Sequence, residues 1–252
     1  MTELKEIVRY LDTELRLAEV PDYSGALNGL QLENSGTVTK VAAAVDASLP
    51  VFRKAIAAGA DLLIVHHGMF WQGAQSVVGS QYEKIKLAID ANMAVYSVHI
   101  PLDIHHEWGN NILLCEELGM RNTEKFHPWK GELLGLKQEM DLTLEKLLER
   151  VKLAVGGEVN FCPGRNSESV GMVGVITGGA GSEIQAMADS GINTFITGEG
   201  PHWSYPLAEE LGVNIIYGGH YATETFGVLK LIEVLEKKYL LCKHFVSHPS
   251  GL

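Results

Sequence analysis

Histidines and carboxylates recur where apolar segments of this chain end, and these residue types bind divalent metals or transfer protons. Any one such histidine, taken alone, is more often structural than functional, so the prediction depends on their joint occurrence at three strand ends. The candidates for metal binding are His66, His67, His99, Asp103, His220 and Glu224. Two of the three ends share a further pattern, because His99 and His220 are each followed by a carboxylate four residues later.

The elements that must position these residues alternate between strands and helices. Apolar spacing and turn residues predict helices over 3–19, 46–58, 82–91, 109–118, 142–155, 183–190, 207–211 and 223–238, and strands over 38–45, 61–65, 93–98, 170–177, 194–197 and 213–217. This alternation predicts an α/β fold with parallel sheets covered by helices. Ligands of such sheets bind at the carboxyl ends of the strands, where the histidines lie.

The chain also shows signs of internal duplication. Residues 41–68 align without a gap on residues 173–200, which places Gly59 on Gly191 and His67 on Glu199. We therefore expect two similar α/β halves, 1–125 and 126–252, with an irregular junction over 126–140 and the metal site in the cleft between the halves. The C-terminal helix, 223–238, is expected to pack back on the first half. The alternative is that any two strand–helix units look alike, since this motif is common.

The number of candidate ligands favours two ions. Five or six ligands exceed the three that a catalytic zinc keeps, and they suit a pair of metals bridged by a carboxylate or water. His220 and Glu224 are one helical turn apart, which places both side chains on one face. The ligand types accept zinc, iron, manganese or nickel and do not choose among them.

Composition restricts the possible partners. A net charge of −11 argues against a nucleic-acid surface and against docking on anionic membranes. No window approaches the roughly 18 continuous apolar residues of a membrane span. Cys115, Cys162 and Cys242 are far apart and form no C-x-x-C motif, so we expect a cytoplasmic protein in a reducing compartment.

Several other features carry weaker predictions. The loop of residues 178–181 could cradle a phosphate, but it lacks the lysine and the glycine spacing of known motifs, and a tight turn is the alternative. His202, Asn28 and Gln31 are candidates for supporting the site or facing a substrate. The remaining histidines are expected at the surface; they are His105, His106, His127, His244 and His248.

The motifs resemble those of the NIF-three-like dinuclear metal-centre family, whose members often carry the description GTP cyclohydrolase 1 type 2. The matching motifs occur in the family's order over nearly the whole chain, at residues 28–31, 61–68, 99–103 with 109–111, 197–199 and 219–224. The chain resembles the short bacterial form of the family. The resemblance implies a homohexameric ring with two metal ions per subunit. It implies His66, His67, Asp103, His220 and Glu224 as ligands, with His99 beside them. Met69-Phe70-Trp71 departs from the proline that follows the histidines in many members.

Two classes of function follow from these predictions. The first is a metal-dependent hydrolase of a small molecule, in which a metal-activated water opens the purine ring of GTP and His99 or Glu199 transfers protons. A phosphoester or amide substrate would use the same metal pair. The second is a non-catalytic metal-binding or regulatory protein that acts through partners.

Overall fold

A computed structural model of the chain describes residues 1–71, 73, 75–164 and 169–251. The fold is mixed α/β, as the alternating pattern predicts. Contacts divide the chain into two compact units. Unit 1 comprises Met1–Leu102 and Gly227–His248, and unit 2 comprises Asp103–Phe226 with the residues from Pro249. The division therefore falls at residue 103, whereas the sequence suggested residue 126.

The first part of the chain builds the sheet of unit 1. Its elements are β1 (Thr2–Glu3), α1 (Leu4–Glu14), β2 (Gly29–Leu32), β3 (Thr37–Val38), β4 (Lys40–Asp46), α2 (Leu49–Ala57), β5 (Leu62–His67), α3 (Gly79–Asp90), β6 (Ala94–Ser97) and α4 (Ile100–Asp103). Leu4, Ile7 and Leu11 are the buried residues of α1, at helical spacing. The helix ends earlier than predicted, because Arg16 adopts a left-handed backbone with φ 54°.

The second part of the chain builds the larger sheet of unit 2. Its elements are α5 (Asn110–Glu117), β7 (Glu124–Trp129), β8 (Glu132–Met140), α6 (Leu144–Val155), β9 (Asn160–Cys162), β10 (Gly171–Val175), a 3-10 turn (Ala180–Glu183), α7 (Ile184–Asp189), β11 (Thr194–Thr197), α8 (Ser204–Leu211), β12 (Asn214–Tyr217) and α9 (His220–Thr223). The chain then continues through α10 (Thr225–Tyr239) and β13 (Cys242–Phe245), which group with unit 1 from Gly227 onward.

The prediction of an irregular stretch over 126–140 is wrong. Strands β7 and β8 pair there as an antiparallel hairpin, with Trp129 opposite Glu132. Lys130 and Gly131 both have positive φ and form its two-residue loop, as tight hairpin turns require. Pro128 is tolerated because β7 lies at the edge of the sheet.

The two sheets share part of their strand arrangement, which is compatible with duplication. In unit 1 the order is β13-β4-β5-β6-β2, and in unit 2 it is β7-β8-β10-β11-β12-β9. In each sheet three consecutive parallel strands, β4-β5-β6 or β10-β11-β12, have on one side an antiparallel strand that precedes them in sequence, β2 or β9. On the other side the sheets differ, because β13 is parallel to β4 and β8 is antiparallel to β10. Register repeats as well, because Val41 pairs with Leu62 and Val173 with Thr194.

The apolar residues of the central strands pack into clusters with the helices that cover each sheet. In unit 1, Leu63 and Val65 of β5 pack with Phe52 of α2. In unit 2, alternate residues of β11 point to opposite faces, so that Ile196 joins one cluster and Phe195 the other. Among the described residues, no helix is long and apolar enough to cross a membrane.

Candidate metal-binding site

Strand β5 carries two adjacent histidines to its carboxyl end. The residues from Leu62 to Val65 are fully buried, as a central parallel strand requires, and His66 is equally buried. His67 is half-buried and Gly68 follows. Gly68 has no room for a side chain, because a Cβ there would meet the side chains of Gln31 and Ser97. The close packing at Gly68 therefore fixes the chain directly after the histidine pair.

His99 joins this pair to form what we call the histidine cluster, His66, His67 and His99. The ring centroids lie 4.8 Å apart for His66 and His67, 5.0 Å for His66 and His99, and 5.7 Å for His67 and His99. One ring nitrogen from each histidine lies within 4.8 Å of those of the other two. Three imidazoles this close can bind a divalent metal ion.

Each ring of the histidine cluster is held through its Nδ1 atom. His66 Nδ1 lies 2.9 Å from the carbonyl oxygen of Val98. His67 Nδ1 lies 2.8 Å from Asp46 Oδ1, and His99 Nδ1 lies 2.9 Å from Asp22 Oδ1. A carbonyl or an ionised carboxylate only accepts hydrogen bonds, so Nδ1 donates in each pair. In a neutral ring the lone pair is then on Nε2, the arrangement of metal-binding histidines.

Asp22 is itself held by several donors. Burial acts to raise the pKa of Asp22, but the hydrogen bond and charge of His99 outweigh it, together with bonds from the Asn28 amide and the Tyr23 N–H. The result is a pKa below the ordinary range. Asn28 also accepts a hydrogen bond from the N–H of His99 at 2.8 Å. Asn28 therefore supports the site, as the sequence suggested, through Asp22 and the backbone of His99.

Trp71 lies against the histidine cluster. Its ring makes edge contacts with His99 at 4.9 Å and with His67 at 5.5 Å between centroids. Its indole N–H donates to the carbonyl of Gly68 at 3.0 Å. Gln31 holds the same loop by accepting from the N–H of Met69 at 2.7 Å. Trp71 thus forms an aromatic wall beside the histidine cluster.

Unit 2 presents a second set of candidate ligands, His220, Glu224 and Asp103, and with Glu199 beside His220 they form what we call the His220 cluster. His220 Nδ1 lies 2.9 Å from Glu199 Oε1, so this ring is held as the others are. His220 Nε2 lies 3.1 Å from Glu224 Oε2. Helix α9 places the two residues one turn apart, and Gly178 leaves space for the Glu224 carboxylate, which a Cβ there would meet.

Asp103 brings a second buried carboxylate to the His220 cluster. Asp103 is 8% exposed and Glu224 is 3% exposed, and a carboxylate oxygen of each lies within 4.8 Å of the other. Asn110 Nδ2 donates to Asp103 Oδ1 at 2.8 Å. Two buried carboxylates this close repel each other when both are ionised, and a divalent cation removes that repulsion. The donor set therefore fits a metal ion.

Sequence reasoning missed two residues that hold the rings, Asp22 and Asp46. A signal for Asp46 was present, because it is the last residue of the strand that pairs with β5, opposite His67. Asp22 lies outside regular structure, and no sequence pattern indicates it. Glu199, expected to transfer protons, bonds to the ring of His220.

The weaker predictions have mixed outcomes. His105 was expected at the surface but is buried, and its Nδ1 accepts hydrogen bonds from the N–H groups of Glu107 and Trp108. His127 is also largely buried, whereas His106 and His244 are exposed as expected. His202, a candidate for supporting the site or facing a substrate, is exposed. In the glycine loop, the N–H groups of Gly178, Ala180 and Gly181 bond within the protein, which favours the tight turn over a phosphate cradle.

The fold and these clusters define an α/β protein with histidine and carboxylate groups able to bind metal. A sequence profile of the Duf34/NIF3 (NGG1p interacting factor 3) family matches residues 2–249, and the chain belongs to this family. A Deinococcus radiodurans protein described as a GTP cyclohydrolase 1 type 2 homolog is 37% identical over 249 residues, covering 98% of this chain and 94% of the relative.

An Archaeoglobus fulgidus protein with the same description is 36% identical over 255 residues, covering 99% of both chains. The crystal structure of a Thermus thermophilus protein superposes with a TM-score of 0.87 at 36% identity and covers 100% of both chains. These relatives span the whole length of the chain, so both units belong to the family fold.

Proposed function

We propose that this protein is a metal-dependent hydrolase with a dinuclear centre. The proposed ligands are His66, His67, Asp103, His220 and Glu224. The observation that carries the proposal is the anchoring of four imidazoles through Nδ1 by oxygen acceptors, which leaves Nε2 as the ligand atom of the metal-binding rings. When bound, two divalent ions supply Lewis acidity, lower the pKa of water and polarise the substrate.

His99 is the proposed general base. Asp22 accepts from its Nδ1, orients the ring and stabilises the imidazolium that forms when Nε2 takes a proton. Trp71 and the half-buried position of His99 limit the access of water to this nitrogen. Glu199 acts as a positioning residue for His220 rather than as a proton carrier.

The proposed substrate is GTP, and the proposed reaction is hydrolytic opening of its imidazole ring with release of formate. Support for this substrate comes from the description that the relatives carry, GTP cyclohydrolase 1 type 2 homolog. The assembly proposed from the family resemblance is a homohexameric ring, and light scattering coupled to size exclusion measures its mass.

The test is formate release from GTP by the metal-loaded protein, compared with phosphodiester and peptide substrates. We expect turnover of GTP that falls by about 100-fold or more in His99→Ala, the range in which general base catalysis contributes. His106→Ala serves as the matched control, because His106 is exposed. Metal binding without turnover of any of these substrates would instead favour a non-catalytic metal-binding protein.

A further inference from the structure

A cleft of about 820 Å³ lies along α1 in unit 1, and neither the proposed metal ligands nor His99 line it. Its wall includes Lys5, Arg9 and Asp12 of α1 and Arg16 of the turn that follows. The three helical residues are spaced by four and three positions, which places them on one face of the helix. The volume falls within the range of small-molecule sites, about 300–1,000 Å³.

Basic side chains outnumber acidic ones in this cleft. Lys5, Arg9 and Arg16 face two acids, Asp12 and Glu19. Burial raises the pKa of Asp12 above its ordinary value, although the hydroxyl of Tyr96 donates to Oδ1 at 2.9 Å. Glu19 is an exposed partner of the Arg16 side chain at 2.8 Å. The cleft therefore favours an anion, in a chain whose net charge is −11.

Arg16 occupies an unfavourable backbone conformation at the rim of the cleft. Its φ of 54° lies in the left-handed region, where residues with side chains are uncommon. The turn fixes this conformation, because the carbonyl of Arg16 accepts from the N–H groups of Glu19 and Val20. The guanidinium extends from this turn, where its Nε donates to Glu19 Oε2 at 2.8 Å, and a guanidinium is a favourable group for binding phosphate.

The rest of the cleft offers apolar surface and one amide. Val8, Leu17 and Leu30 supply apolar lining, and Asn28 supplies the amide. Asn28 is already bonded to Asp22 at 2.8 Å and to the N–H of His99. One end of the cleft therefore reaches the residues that hold His99. A ligand that fills the cleft needs both an anionic group and an apolar or aromatic body.

We propose that the cleft binds a small organic phosphate monoester of nucleotide size. The phosphate binds the side chains of Arg9, Arg16 and Lys5, and the body of the ligand packs on the apolar lining. This site is separate from the metal ligands, because none of them lines the cleft. Binding of the phosphate monoester therefore requires neither metal nor hydrolysis.

The experiment is calorimetric titration of the full chain with AMP after removal of metal by EDTA. We expect saturable binding that weakens by about ten-fold or more in Arg9→Gln and in Arg16→Gly, as loss of a charge-assisted hydrogen bond predicts. Glycine suits the left-handed backbone at residue 16, so this variant removes the guanidinium without straining the fold. Arg53→Gln is the control, since Arg53 pairs with Glu83 on the surface away from the cleft.

Adenosine and inorganic phosphate, titrated in the same way, test the two halves of the ligand. Each is expected to bind at least about ten-fold more weakly than AMP. The proposal is overturned if AMP does not bind, if both cleft variants bind it as the wild type does, or if adenosine binds as tightly as AMP. The titration uses metal-free protein, so its result is separate from the fate of the hydrolase proposal, which the formate assay decides.

Discussion

Replacing Asp46 tests whether the anchoring of His67 matters for metal binding. Asp46 Oδ1 lies 2.8 Å from His67 Nδ1, and the two residues are opposite each other on paired strands. Asp46→Ala removes this acceptor, which lets the ring rotate and lowers the basicity of Nε2. Loss of such a partner weakens metal affinity by about 10–100-fold, or about 1.4–2.7 kcal/mol.

The assay is titration of metal-free protein with Zn²⁺ against a chromophoric chelator of known affinity. Asp46→Asn keeps an oxygen acceptor without the charge, so we expect an affinity between those of the wild type and Asp46→Ala. Asp90→Ala is the matched control, because Asp90 is an exposed acid of the same unit, paired with Lys86 on α3. The reasoning is refuted if Asp46→Ala binds zinc as the wild type does, or if Asp90→Ala loses as much affinity.

Three further predictions concern folding. Gly68→Ala brings a Cβ to 2.7 Å from Ser97 Cβ, so we expect the free energy of unfolding in urea to fall by about 1–3 kcal/mol, and an unchanged value would contradict this. Burial raises the pKa of the Asp12 carboxyl above 3.8, so the folded wild type keeps this proton to a higher pH than the unfolded chain does and loses stability as pH rises. Asp12→Asn removes this carboxyl. The variant should therefore gain stability relative to the wild type as pH rises above about 4 in denaturation curves, whereas a constant difference would argue against the shift. Asp61 accepts hydrogen bonds from the Thr39 N–H, the Thr39 hydroxyl and the Lys40 N–H, so Asp61→Ala should lower the free energy of unfolding by about 1–3 kcal/mol in the same assay. The loss should be larger than in Asn193→Ala, because the Asn193 side chain accepts from the Met172 N–H.

Sequence patterns could predict the parts of the fold that depend on local periodicity. The apolar run before His66 and the glycine after His67 identified β5 and its polar end, and the structure places both histidines there. The shared offset of 132 residues predicted equivalent strands, and the equivalent pairs Val41–Leu62 and Val173–Thr194 follow it.

The parts that sequence did not predict depend on contacts distant in the chain. Strands β9 and β13 are short, and their residues carry no alternating pattern, so their pairing with β12 and β4 decides their structure. Asp22 reaches His99 across 77 positions of sequence. This contact does not follow from spacing, because it depends on where a loop is placed.

Metal content is the most direct test of the central claim. Inductively coupled plasma mass spectrometry on the purified full chain is expected to give about two divalent ions per chain, as a dinuclear centre requires. We expect this content to fall in His66→Ala and in Glu224→Ala and to stay unchanged in His106→Ala. A wild-type chain that binds no divalent ion, or cluster variants that keep the full content, would contradict the proposed site.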